Sequence, residues 1–89
     1  MKAVVTVIGK DNKGIIAKVS AKCFEYGGNI SEISQSVLKE YFAMIMLVDI
    51  AGLTVPFTEF VENMEKLGRE NGLEIVTMHE DIFNAMHKI

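Results

Sequence analysis

The chain has 89 residues, of which 49% are hydrophobic, and it carries a formal net charge of −3 with one cysteine. This length predicts a single domain over residues 1–89, and an acidic balance with Arg69 as the only arginine argues against nucleic-acid binding. One cysteine excludes an internal disulfide framework. There is no signal-peptide pattern and no apolar run of about 18 residues, so we expect a cytoplasmic protein without a membrane partner.

The first half of the chain predicts two strands around one helix. Residues 2–9 are apolar on both faces, which is typical of a central strand. A turn with a glycine at each end leads into a helix over 14–26, and the first N–H groups of that helix point at whatever lies above the turn. Tyr26-Gly27-Gly28 ends the helix, and the polar strand over 30–38 suits the edge of a sheet.

The second half predicts two further strands and two helices. After a turn at Lys39-Glu40, residues 41–51 form a second central strand that is apolar on both faces. A helix over 56–71 begins at Pro56 and carries one apolar stripe. A fourth strand spans 73–78, and a terminal helix over 79–89 has its own apolar stripe: Ile82, Phe83, Met86 and Ile89.

This βαββαβ order predicts a ferredoxin-like α+β fold. Its four-stranded antiparallel sheet carries both main helices on one face, followed by a C-terminal helix. The other face of the sheet must then meet the terminal helix, another subunit, or both. Because a domain of this size buries only about 60–65% of its unfolded surface, the apolar excess predicts a homodimer or a larger oligomer.

Function must be decided by sites, since this fold has many uses. The first turn lacks the arginine of an acylphosphatase and the Cys-x-x-Cys of a metal chaperone, and strand one lacks the aromatics of an RNA-binding sheet. Cys23 is predicted to be a small buried hydrophobe rather than a nucleophile. His79 and His87 lie about 12 Å apart along a helix, too far to share one metal. We therefore predict no enzyme, no catalytic residue, no cofactor and no metal site.

Two motifs carry a family resemblance. The run Asp11 to Ser20, followed after one helix by Gly27-Gly28-Asn29-Ile30, resembles the ACT domain, a small regulatory module of amino-acid metabolism. The resemblance covers about residues 3–78, and the whole chain is similar to the uncharacterised bacterial proteins that consist of one ACT domain. Lys13 stands where that family usually has proline, and Asn12 where it often has a basic residue.

The resemblance implies a ligand site between two subunits. Gly14 and its neighbours approach the backbone of an amino acid in one subunit, while Asn29 and Ile30 line the interface from the other. The predicted ligand-binding residues are Asp11, Asn12, Lys13, Gly14, Ile15, Asn29 and Ile30. Lys10 and Lys13 beside the free helix N–H groups suit a carboxylate, although a solvated helix face also explains the lysines.

Two functions follow. The first is a non-catalytic regulatory module that binds a small molecule, an amino acid, at a dimer interface and signals to an unidentified protein partner. The alternative is a structural or protein-interaction ACT domain without a ligand.

Overall fold

The computed structural model describes residues 1–10 and 14–87. Its elements are β1 (Lys2–Gly9), α1 (Ile15–Glu25), β2 (Asn29–Leu38), β3 (Tyr41–Asp49), α2 (Phe57–Asn71), β4 (Glu74–His79) and α3 (Glu80–Met86). The strands form one antiparallel sheet in the order β2-β3-β1-β4. The predicted ferredoxin-like fold is confirmed, with β2 at one edge and β1 and β3 in the centre.

The core lies between one face of the sheet and the two longer helices. Val19 and Cys23 of α1 and Phe60 and Met64 of α2 are fully buried in one cluster. Alternate residues of the central strands form the floor of that cluster: Ala3, Val5, Val7, Phe42, Met44, Met46 and Val48. Because both helices pack on this floor, they lie on the same face of the sheet, as predicted. We call it the helix face.

The opposite face of the sheet, here the open face, is covered only in part. Its side chains include Val4, Thr6 and Ile8 of β1, Ala43, Ile45 and Leu47 of β3, Glu74, Val76 and Met78 of β4, and Glu32, Ser34 and Ser36 of β2; the pair Lys2 and Asp49 lies at one end of this face. Val4 is 4% exposed, whereas Ile8 and Ile45 are 46% and 44% exposed. One half of the open face is therefore covered within the chain and the other half is exposed, and its predicted cover by another subunit stays a prediction.

The C-terminal helix explains why the open face is buried at one end and exposed at the other. α3 contacts β1 and β4, and it begins directly after His79, which pairs with Ala3; it therefore lies at the Val4 end. Its predicted apolar stripe is not buried, since Ile82 and Met86 are exposed, and Ile89 lies outside the described residues. Seven residues of helix span about 10 Å, too short to cover a face whose outer strands are about 14 Å apart.

We expect Thr77→Val to raise the free energy of unfolding by about 1 kcal/mol. Thr77 lies on the helix face opposite Val5 and is 8% exposed, and its hydroxyl has no hydrogen-bond partner among the described residues. Valine keeps the β-branched shape and removes an uncompensated polar group, and urea unfolding measures the change. Thr54→Val is the control, because the Thr54 hydroxyl donates to the Tyr26 carbonyl at 3.3 Å. A lower free energy of unfolding in Thr77→Val would contradict the interpretation that the buried Thr77 hydroxyl is not hydrogen-bonded.

Candidate functional site

The turn before α1 is accessible at Gly14. This residue has a left-handed backbone, with φ 70° and ψ 3°, which glycine adopts at little cost. It is exposed, and a Cβ built on it meets no described atom within 4 Å. Its carbonyl accepts the first hydrogen bond of α1, from the Lys18 N–H at 2.9 Å. The described residues therefore leave open space where a side chain at Gly14 would stand.

The other predicted site residues differ in what they can offer a ligand. Ile15 is buried in the core below Gly14, so only its backbone is available there. Asn29 is exposed at the start of β2, while Ile30 is partly buried against the core. Predicted residues 11–13 (Asp11, Asn12 and Lys13) lie outside the described part of the chain.

A close backbone contact holds the far end of α1. Gly27 has φ 85°, and a Cβ at this position would overlap the carbonyl oxygen of Gly52 in the loop between β3 and α2. The Thr54 N–H donates to the Tyr26 carbonyl at 2.9 Å, and the Gly28 N–H donates to the Cys23 carbonyl at 2.9 Å. These contacts fix the chain that leads into Asn29. Sequence reasoning missed the part played by the loop, for which Gly52 was the only local signal.

The two motifs lie at opposite ends of the sheet within one chain. Gly14 follows the end of β1 at Gly9, whereas Asn29 pairs with Asp49, which pairs with Lys2 at the start of β1. The eleven residues of α1 separate them, a rise of about 16 Å. A molecule the size of an amino acid cannot contact both motifs of the same chain.

Three described lysines of this region, Lys10, Lys18 and Lys22, have contacts within the chain. Lys18 donates to the Asn71 side chain at 3.0 Å, and Lys22 lies 3.3 Å from the Glu25 carboxylate. The Lys10 ammonium lies 5.7 Å from the centre of the Tyr41 ring, a cation–π distance. Exposed contacts of this kind are weak, so Lys10 remains available to a stronger anionic partner.

Neither of two larger surface grooves contains a predicted site residue. One groove of about 340 Å³ lies between α2 and β4, beside Arg69 and Thr77. Another of about 270 Å³ lies between α1 and α2, beside Lys22 and Lys66. The candidate site is therefore not one of these grooves.

The described residues show no cluster of side chains that could bind a metal ion. Across residues 1–10 and 14–87, no group of three or more His, Cys, Asp or Glu side chains is placed to hold an ion. His79 stacks on Phe57 at 4.0 Å between ring centres, and His87 stacks on Phe83 at 4.2 Å. The two histidines thus pack separately. No described helix is long and apolar enough to cross a membrane.

The fold and the paired glycine motifs define a small ferredoxin-like domain with its candidate site at the two ends of α1. A model of the ACT domain family matches residues 2–78, and the chain belongs to that family.

Relatives of the same length support this membership. The UPF0237 protein MK1213 of Methanopyrus kandleri is 44% identical over 99% of this chain and 98% of its own length. The solved structure of an ACT domain protein from Streptococcus pneumoniae is 42% identical, with a TM-score of 0.82 and 98% of each chain covered. The regulatory subunit of aspartate kinase from Thermus thermophilus is 30% identical, with a TM-score of 0.65; the match covers 86% of this chain and 50% of that one.

We expect Cys23 to behave as a packing residue. Burial raises the pKa of its thiol from 9.0 to about 11, so the native protein should resist a thiol reagent at pH 8. Cys23→Ala should lower the free energy of unfolding by about 1 kcal/mol through lost volume.

The pH dependence of stability tests the same residue independently. Above pH 9 the unfolded chain releases the thiol proton while the folded chain retains it, so stability falls as the pH rises towards 11. Over this range the wild type should lose about 3 kcal/mol more than Cys23→Ala, as measured by denaturant unfolding of both proteins at several pH values. Rapid labelling of the native thiol would contradict burial.

Proposed function

We propose that the protein is a non-catalytic regulatory module that binds an amino acid between two copies of the chain. The observation that carries this proposal is the exposed left-handed Gly14, with open space where a side chain would stand. A ligand carboxylate can approach the backbone N–H groups that follow, where the helix dipole favours negative charge.

The edge strand β2 supports the pairing of two copies. Residues 31–37 are all exposed, and this stretch contains no proline and no lysine to discourage a further strand. Ile33 and Val37 are exposed on its helix face, and Phe24 of α1 is exposed as well. An antiparallel β2–β2 contact about a two-fold axis would join two sheets into one of eight strands.

That contact would also complete the site. The two-fold axis inverts one copy relative to the other, so the end of the sheet next to Gly14 in one copy meets the end next to Asn29 in the second. The Asn29 side chain has an N–H donor, which suits the carboxylate of an amino acid, and an oxygen acceptor, which suits its ammonium group. In a site shared between two copies, each copy contributes one of the two motifs, and the distance between the motifs within one chain is consistent with that arrangement.

The comparisons favour regulation over catalysis. The ACT family match and the likeness to a regulatory subunit of aspartate kinase support a sensory role. A second candidate is an interaction module without a ligand. It is favoured by the contacts of Lys18 and Lys22 within the chain, because these ammonium groups are then less available to bind an anionic ligand. A ligand screen separates the two candidates.

We expect one or more of the twenty amino acids to raise the melting temperature. At 100 times its dissociation constant a ligand stabilises by about 2.7 kcal/mol per site, and each kcal/mol moves the midpoint of a domain this small by about 4–8 °C. Differential scanning fluorimetry at millimolar ligand detects such a shift. If no amino acid moves the midpoint, the interaction module replaces the sensor.

Two substitutions locate the binding site. Gly14→Asn places a side chain in the open space and tolerates a left-handed backbone better than other residues, so it should abolish the shift with little loss of fold. Asn29→Ala should reduce the shift. Ala21→Ser, on the exposed surface of α1, is the control and should leave it unchanged. If both site variants keep the full shift in melting temperature, the ligand binds at another place on the protein.

We expect proline in the middle of β2 to halve the mass of the particle. In an edge strand, alternate residues direct their N–H groups towards the neighbouring strand β3 and towards solvent. We therefore test both Ser34→Pro and Gln35→Pro. The variant that keeps the native circular dichroism spectrum is the one that has lost an N–H on the solvent side of β2, where a second copy would pair. An unchanged mass by light scattering in that variant would refute pairing through β2.

A further inference from the structure

The second edge of the sheet, β4, is a regular strand with one open side. Within the described part of the chain it pairs with β1 alone. The six residues Glu74–His79 pair in unbroken register, without the shift that interrupts β2 between Ile30 and Glu32. They include no proline and no lysine, the residues that commonly protect an edge. Alternate N–H and C=O groups of β4 therefore point outward in a regular row.

The helix α2 passes close above this edge and forms one side of a groove along it. Gly68 permits the close approach, because a Cβ built on it would lie 3.3 Å from the backbone nitrogen of Ile75. Glu65 and Arg69 of α2 line the groove together with residues 73–77, and its volume is about 340 Å³. The groove thus has strand β4 along one side and charged side chains of α2 along the other.

The position of α2 favours an extended peptide segment over a second folded copy as the occupant of this groove. Two copies paired through β4 would set two helices, each close above its own edge strand, on strands about 4.8 Å apart. Packed helices need about 8–10 Å between their axes. A single extended segment brings no helix with it. Its backbone can pair with the outward N–H and C=O groups of β4, as peptides do when they add a strand to an open sheet edge.

The side chains along the edge indicate the chemistry of such a segment. Glu74 and Val76 lie two residues apart on the open face, and Val76 is 41% exposed. A docked strand sets alternate side chains beside these two, so a basic residue suits Glu74 and an apolar residue suits Val76. The charged groups of the groove are the carboxylates of Glu65 and Glu74 and the guanidinium of Arg69, which sum to one negative charge. This balance also favours a basic segment.

We propose that β4 binds an extended segment of a partner protein in which a basic and an apolar residue stand two positions apart. The segment becomes a fifth strand of the sheet. Its main-chain hydrogen bonds supply affinity, while Glu74 and Val76 select its side chains. β4 lies at the opposite edge from β2, across both central strands. This docking site therefore rests neither on the pairing of two copies nor on the amino-acid site.

The test titrates the full chain with the peptide acetyl-Thr-Lys-Thr-Val-Thr-Lys-Thr-amide. Its side-chain pattern is the same in both directions, so it sets Lys beside Glu74 and Val beside Val76 in a parallel or an antiparallel strand. Nuclear magnetic resonance should show shifts of the amide signals of residues 74–77 and slower hydrogen exchange of the outward amides among them. A control peptide with the same charge has proline at the central Val and at a neighbouring Thr, which removes a donor facing β4 in either orientation, and it should produce neither change.

Two charge reversals test the assigned contact. Glu74→Lys should weaken binding of the first peptide by about fivefold, since it sets like charges side by side. Glu40→Lys makes the same change of charge in the turn between β2 and β3 and should bind as the wild type does. Glu74→Gln replaces Glu74→Lys if that variant lacks the native circular dichroism spectrum, with a loss of about twofold.

Three outcomes would overturn the proposal. Equal weakening in Glu74→Lys and Glu40→Lys would show a general attraction between charges. Equal binding of the proline peptide would exclude an added strand. Shifts of the β4 amide signals on dilution of the protein without peptide would show that a second copy occupies the edge.

Discussion

The structure depends on a sheet whose central strands are apolar on both faces in a domain with only two complete layers. α1 and α2 close the helix face over a buried apolar cluster that includes Met44, Met46, Phe60 and Met64. Residues 1–10 and 14–87 form no third layer of equal size, since α3 is a helix of seven residues at one end of the open face. Apolar side chains there stay in contact with water, which is unfavourable, and this exposure is the physical basis for the proposed pairing of two copies.

The packing of α1 separates the two glycine motifs, and the proposed ligand site depends on this separation. Gly27 allows the backbone at the end of α1 to approach Gly52, and this contact sets the course of the chain into Asn29. Gly14 then lies one helix length away. The proposed site, assembled from two copies, links occupancy to association, because a ligand that contacts both copies stabilises the paired state. Under that proposal, a change in association reports the presence of the small molecule.

The β2 edge and the open face differ in what they expose. In the described part of the chain β2 has a neighbouring strand on one side only, so its outward backbone groups are left to solvent. The open face instead exposes apolar side chains, of which Ile8 and Ile45 stand beside the smaller Ala43 and Thr6.

The sequence by itself determined the order and type of the elements, because those depend on periodicity and on local backbone chemistry. The stripe of α2 and the doubly apolar β1 and β3 are short-range patterns, and the glycines after α1 and α2 mark where those two helices end. Only the tertiary structure decided which apolar residues are covered. It left the α3 stripe exposed, buried Ile15, gave Lys18 a partner 53 residues away and left the Thr77 hydroxyl without one. These outcomes depend on contacts between distant segments, which no local pattern encodes.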